Sequence, residues 1–154
     1  MRAYPLERSA EALTVDDLKA EGVLSWRASS DERERAALID TIKSERGYVD
    51  QDVVELSTAT PNLDAICAKF DREHLHTEDE VRFVLEGDGI FDVRSNDAGD
   101  WIRIEVSAGD IIVIPAHKYH RFLLTDAKHI RCMRLFANHD GWSPVYRAEN
   151  VQSE

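Results

Sequence analysis

The run Glu73-His-Leu-His-Thr-Glu-Asp-Glu80 decides how this chain is read. Residues two apart on an extended strand point to one face, so His74 and His76 aim both imidazoles the same way. Glu80 keeps their parity after a short bend. On a helix the two histidines would diverge by about 200°, so the run predicts a strand. A fourth donor stands in Pro115-Ala-His-Lys-Tyr-His120-Arg-Phe. His120 shares parity with apolar Phe122 and Leu124, which suits an inward face. His117 has the opposite parity and follows Pro115-Ala116, where a turn is expected, so His120 is preferred as the donor. Three neutral imidazoles and one carboxylate suit a borderline or hard divalent ion such as iron, nickel or manganese. A six-coordinate ion held by four protein ligands keeps two positions for substrate or oxygen.

Outward from this run the chain reads as short strands with turn punctuation. Val81 to Glu86 leads into Asp88-Gly89, a hairpin signal, and Ile90 to Arg94 returns. Glu86 and Asp88 are assigned to that hairpin, and Glu78 and Asp79 to a solvated turn. Asn96 to Gly99 is the next turn. Trp101 to Val106 alternates, Gly109-Asp110 turns into Ile111 to Pro115, and Tyr119 to Leu124 and Ile130 to Phe136 complete the set. Strands this short and evenly spaced predict an antiparallel barrel or jelly roll. The tail from Asn138 is polar and less patterned.

The first third reads as helical. Thr14-Val-Asp-Asp17 caps a short helix that stops at Gly22, and Val23 to Arg27 is a possible short strand. Ser29-Ser-Asp-Glu32 matches a capping box, opening an amphipathic helix through Ala36, Leu38, Ile39 and Ile42 that ends near Gly47. Val53 to Ser57 fits helix or strand. Thr60-Pro61 places proline at the first turn of a helix over about 61–70. The resulting expectation is one domain over 1–154, with a helical part over about 1–70 packed outside a barrel core over about 71–137.

Composition narrows the function classes. The 154 residues are 43% apolar, enough for a real core. No apolar run approaches the roughly 18 to 20 residues of a membrane span, and the N-terminus lacks the apolar stretch of a secretory signal. Both absences point to the cytosol. Cys67 and Cys132 form no ligand motif and are read as buried thiols. The formal charge of −11, with no basic patch, argues against nucleic acid as a partner. A monomer is expected from a small barrel with this charge.

One His-x-His among six histidines carries little by itself. With Glu80, Gly87, Gly109, Pro115 and the later His120 it resembles the two motifs of the cupin superfamily. The second cupin motif usually has its histidine at the position of Lys118; here it stands two residues on. That shift, together with Glu-His-Leu-His76, Asp-Glu-Val-Arg82, Phe-Asp-Val-Arg94, Trp-Ile-Arg103, Tyr-His-Arg-Phe122 and Met-Arg-Leu-Phe136 in order, resembles the acireductone dioxygenase family. Gly22 to Trp26 and Glu45 to Tyr48 extend the resemblance over most of the chain.

The resemblance implies a mainly β, cupin-type antiparallel barrel (jelly roll) and an oxygenase of the methionine salvage pathway. It implies His74, His76, Glu80 and His120 as ligands of one Fe(II) or Ni(II) ion per chain. The implied partners are O2 and the acireductone 1,2-dihydroxy-3-keto-5-methylthiopentene. Fe(II) gives formate and the 2-keto acid precursor of methionine; Ni(II) gives carbon monoxide, formate and 3-methylthiopropionate. Arg82 matches the family arginine beside the substrate anion, a task suited to a fixed guanidinium. Arg134 shares the inward parity and is a second candidate, with a structural salt bridge as its competing role. Phe70, Phe122 and Trp142 match positions at the substrate's apolar end, where sulfur contacts aromatics favourably, though core packing explains them as well. The residues alone leave two rivals: another metal cupin enzyme, such as an isomerase or diketone oxygenase, and a non-enzymatic cupin binding module.

Overall fold

A computed structural model describes residues 1–96, 99–138 and 143–147. In chain order it contains β1 (Arg2–Pro5), α1 (Val15–Ala20), β2 (Leu24–Arg27), α2 (Glu32–Arg46), β3 (Asp50–Leu56), α3 (Leu63–Phe70) and β4 (His74–Leu75). Then follow β5 (Glu80–Arg94), β6 (Trp101–Ser107), β7 (Asp110–Ile114), β8 (His120–Leu123), β9 (Ile130–Phe136) and β10 (Val145–Tyr146). All pairings are antiparallel. One sheet runs β1-β6-β5-β8-β4-β10 and the other β2-β7-β5-β9-β3. This is the jelly roll expected, laid out as two sheets that share β5.

β5 corrects one expectation. Asp88-Gly89 is not a hairpin: the strand runs unbroken from Glu80 to Arg94. Its first half pairs with β7 and β9, its second half with β6 and β8, and a register shift lies between Val84 and Glu86. Gly87, at φ 79°, bends the strand from one sheet into the other. A Cβ there would meet the His129 carbonyl oxygen at 2.1 Å, and one at Gly89 would meet Phe122 Cε1 at 2.6 Å. Both glycines therefore serve close approach rather than chain reversal. Asp88 accepts a hydrogen bond from Thr125 Oγ1 at 2.6 Å, and Glu86 faces Arg131 at 3.4 Å.

Strand parity divides the core in two. Val84, Ile112, Ile114, Ile130 and Cys132 face inward and pack against Phe91, Val93, Ile102 and Ile104 of the other sheet. Val81, Phe83, Ile111, Val113 and Leu135 face the opposite way and meet Ile39 and Ile42 of α2. β7 is thus covered on both faces, which is why all five of its residues are buried. On β5 this parity turns Glu80 and Arg82 inward.

The helices follow their caps. Thr14 caps α1 as expected, forming a capping box with Asp17, and Gly47 in the left-handed region ends α2. The N-cap of α2 is Asp31 rather than Ser29. Its Oδ1 accepts from the Arg33 and Glu34 amides, while Ser29 Oγ accepts from the Asp31 amide. α3 starts at Leu63, after Asn62 at φ 57°, so Pro61 lies before the helix. The first third also contributes β1, β2 and β3 to the sheets, so it is mixed rather than helical. No described helix is long and apolar enough to cross a membrane.

On the first sheet a row of charges crosses three strands in register: Arg103 on β6, Asp92 on β5 and Arg121 on β8. Asp92 alternates with inward Phe91 and Val93, so it lies on the sheet's other face. Its side chain is 0% exposed and accepts from Arg103 Nε at 2.8 Å, Arg103 Nη2 at 2.9 Å and Arg121 Nε at 2.8 Å. Both oxygens of this fully buried carboxylate are thus bonded to arginine.

Candidate metal centre

β4 and β8 meet at a single register pair, His74 opposite His120. β4 ends at Leu75, so His76 stands just past the strand, yet the rings still converge. Centroids lie 5.2 Å apart for His74 and His76, 4.5 Å for His74 and His120, and 5.5 Å for His76 and His120. Glu80, at the start of β5, brings Oε1 to 3.1 Å from His76 Nε2 and Oε2 to 3.4 Å from His120 Nε2. One ligand atom from each of the four residues lies within 4.8 Å of the others. His117 is exposed in the preceding turn at φ 68° and stays outside the set.

The hydrogen bonds specify which nitrogen faces inward. His74 Nδ1 lies 2.6 Å from the Arg72 carbonyl oxygen and His120 Nδ1 lies 2.9 Å from that of Lys118. A carbonyl only accepts, so each Nδ1 carries the proton and each Nε2 of the neutral ring presents a lone pair. Such backbone partners orient metal-binding imidazoles generally. His120 Nε2 and His76 Nδ1 are buried with no hydrogen-bond partner among the described residues. An orphaned buried nitrogen costs desolvation energy, and at His120 a metal ion would supply the missing partner. Three nitrogens, one carboxylate and these tautomers fit a divalent ion.

Charge in the site is set by burial and close neighbours. Burial works against an ionised Glu80, but the Arg82 guanidinium and His120 hold its carboxyl well below the usual carboxylate range. Burial pushes His74 down, toward the neutral form that ligation requires. Burial also opposes charge on His120, but the adjacent Glu80 carboxylate raises it. Arg82 Nη2 stands 3.4 Å from Glu80 Oε1, and Arg82 Nη1 donates to the Val81 carbonyl at 3.0 Å.

A cavity of about 320 Å³ adjoins the ligands, lined by His74, Glu80, Arg82, Phe70, Phe122 and Arg134 together with Val54, Leu56, Ile66 and Cys132 among others. Phe70 on α3 meets Phe122 edge-on at 6.3 Å, and Phe122 meets Phe91 at 5.0 Å. Phe70 is 39% exposed, so the cavity wall at α3 reaches the surface. Arg134 lies opposite Arg82 in register and donates through Nε to Asp52 Oδ1 at 2.7 Å. Trp142 lies outside the described residues. Of the cavity walls, Val54 and Leu56 were ambiguous in sequence, and Ile66 and Cys132 carried no signal beyond apolar character. The tail read as polar and less patterned supplies β10, whose Tyr146 ring packs 5.9 Å from His74. Asp79 is not a solvated residue: its side chain is 21% exposed and fully bonded on both oxygens.

Residues 5–144 match the ARD/ARD' family model. The chain belongs to this family. An acireductone dioxygenase of Heterostelium pallidum is 45% identical over 96% of this chain and 98% of its own length. The solved structure of acireductone dioxygenase from Bacillus anthracis, with a cadmium ion in its active centre, superposes with a TM-score of 0.84. It is 30% identical and covers 94% of this chain and 97% of that one. A Sorghum bicolor relative, 40% identical over 89% of this chain and 76% of its own, is named a probable inactive acireductone dioxygenase. Within the ARD/ARD' family, activity must therefore be argued from the residues of the site.

Proposed function

We propose that this chain cleaves 1,2-dihydroxy-3-keto-5-methylthiopentene with O2 in methionine salvage, as an acireductone dioxygenase using one Fe(II) or Ni(II) ion. The observation that carries the reading is the shared cavity: His74 and Glu80 of the four-donor cluster line a space also lined by Arg82, Phe70 and Phe122. Membership of the ARD/ARD' family supports it. Bound by the four ligands, the ion supplies the Lewis acidity and oxygen chemistry that side chains lack.

The chain's own residues supply position and field. Arg82 holds a permanent positive charge beside Glu80, where the enediolate of the substrate needs an opposing charge in a low-dielectric site. Arg134 adds positive charge across the strand pair, but its pairing with Asp52 gives it the lesser part. Phe70 and Phe122 enclose the methylthioalkyl end and keep water from the reacting carbons; Trp142 is assigned to the same end by resemblance. The Cys132 thiol, pushed up by burial to about 11, stays protonated and out of the reaction.

The test is anaerobic reconstitution of the metal-free chain with Fe(II) and separately Ni(II), followed by acireductone and oxygen. A keto acid with formate in the first case, and carbon monoxide with formate and 3-methylthiopropionate in the second, is the expected result. Both should vanish in His120→Ala. Tight metal binding without oxygen uptake moves the reading to another cupin enzyme. No stoichiometric metal leaves a binding barrel.

A further inference from the structure

The loop between β4 and β5 carries His76 and delivers Glu80, yet residues 76–79 belong to no strand. Ladder hydrogen bonds therefore do not hold it. What meets it instead is the turn Pro115–Lys118, just before His120. The His117 amide donates to the His76 carbonyl at 2.8 Å. The Ala116 amide donates to Asp79 Oδ1 at 3.0 Å. Asp79 Oδ2 accepts from the Tyr48 hydroxyl at 2.7 Å and from Arg46 Nη2 at 3.0 Å, and Arg46 Nε donates to the Tyr48 oxygen at 2.9 Å. Asp79 thus ties the ligand loop both to the turn and to the C-terminal end of α2.

The turn is anchored from its far side as well. Lys118 is buried, and its Nζ donates to Asn96 Oδ1 at 2.9 Å and lies 3.4 Å from Glu21 Oε1. Its carbonyl oxygen is the one that accepts from His120 Nδ1. His117 holds a left-handed conformation at φ 68°, which is unfavourable for a non-glycine residue. That conformation persists only where surrounding bonds over-determine it.

We propose that Asp79 is a positioning residue that clamps the His76–Glu80 loop to the Pro115–Lys118 turn, so that ligands from two separate segments are held as one preformed set. The clamp touches no substrate atom and acts through His76, Glu80 and His120. It rests on the reading of those residues as metal ligands.

The experiment reloads the whole metal-free chain with Ni(II) alone or Co(II) alone. Asp79→Asn keeps the size of the side chain and its contact to the Ala116 amide, but loses the charge and the acceptor for Tyr48. It should weaken Ni(II) binding roughly 10- to 100-fold, the range for partners that orient metal ligands. The visible spectrum of the Co(II)-loaded protein should shift. Tyr48→Phe should move both readouts the same way by less, and in the oxygenase assay both should lower kcat more than they raise KM. The thermal midpoint of the metal-free protein should stay within a few degrees of the parent. Unchanged Ni(II) affinity and an unchanged Co(II) spectrum in both variants overturn the proposal. So does a fall in metal-free stability large enough to account for the lost affinity, because Asp79 is then merely structural. A parent chain that takes up no metal refutes the ligand reading itself, and the clamp with it.

Discussion

Replacing Asp92 by alanine should destabilise the fold while leaving the chemistry intact. Asp92 accepts three charge-assisted hydrogen bonds from Arg103 and Arg121 and is 0% exposed. Breaking a buried ion pair from one side costs about 3 to 5 kcal/mol. The two arginines are 23% and 26% exposed, so each can turn to water when the carboxylate is gone. That places the loss near the lower bound, about 3 kcal/mol. For a chain of this size 1 kcal/mol moves the midpoint by about 3 °C, so the expected drop is about 9 °C. The assay is calorimetry on the metal-free protein, which keeps ligand binding from masking the loss. Asp92→Asn, which retains one oxygen acceptor, should lose about half as much. Because Asp92 lies on the sheet face away from the cavity, kcat/KM below the transition should stay within a few-fold of the parent. A drop under 2 °C for Asp92→Ala refutes the reasoning, as does a large activity loss in folded protein.

Arg82→Met removes the guanidinium beside Glu80 and should cost about 2 to 3 kcal/mol of charge-assisted bonding, or roughly 30- to 150-fold in kcat/KM; Arg82→Lys should recover part of it, and equal losses in the two would argue against bidentate contact. Cys132 is buried, with its thiol pushed up to about 11, so its thiolate fraction at pH 8 is roughly one in a thousand. Iodoacetamide at that pH should modify half-buried Cys67 and spare Cys132 until the protein unfolds, read by peptide mass spectrometry. Gly87→Ala should lower the midpoint by more than Gly47→Ala. Both positions have positive φ, but only at Gly87 does a Cβ meet a backbone oxygen, and equal effects would show that the bulge relaxes.

Two of the four donors, Glu80 and His120, were legible because parity survives folding. Glu80 and Arg82 on β5, and His120 and Phe122 on β8, are spaced by two residues, and alternation sets their facing within each strand; His76 stands past the end of β4, where alternation no longer governs it. The caps of α1 and the end of α2 were legible for a similar reason: Thr14, Asp17 and Gly47 act on neighbours within one turn. Asp88-Gly89 misled because a turn signal is a local preference. In place, ladder partners on β6, β8 and β9 bond this stretch from both sides, and the approach of His129 and Phe122 accounts for the glycines. Asp79 misled in the same way, since its polar neighbours suggest solvent while its partners come from Tyr48, Arg46 and Ala116, far away in the chain.

By itself, then, the amino-acid order determined the strand class, named the four candidate donors and set the inward facing of Glu80 and His120, a facing that depends on spacing within a few residues. Tertiary structure decided which strands share β5, where the cavity lies and that α3 walls it. Those outcomes depend on contacts between residues distant in sequence, such as Lys118 with Glu21, Arg134 with Asp52 and Phe70 with Phe122. A chain acquires such contacts only once its sheets have packed and burial favours polar groups that find a partner.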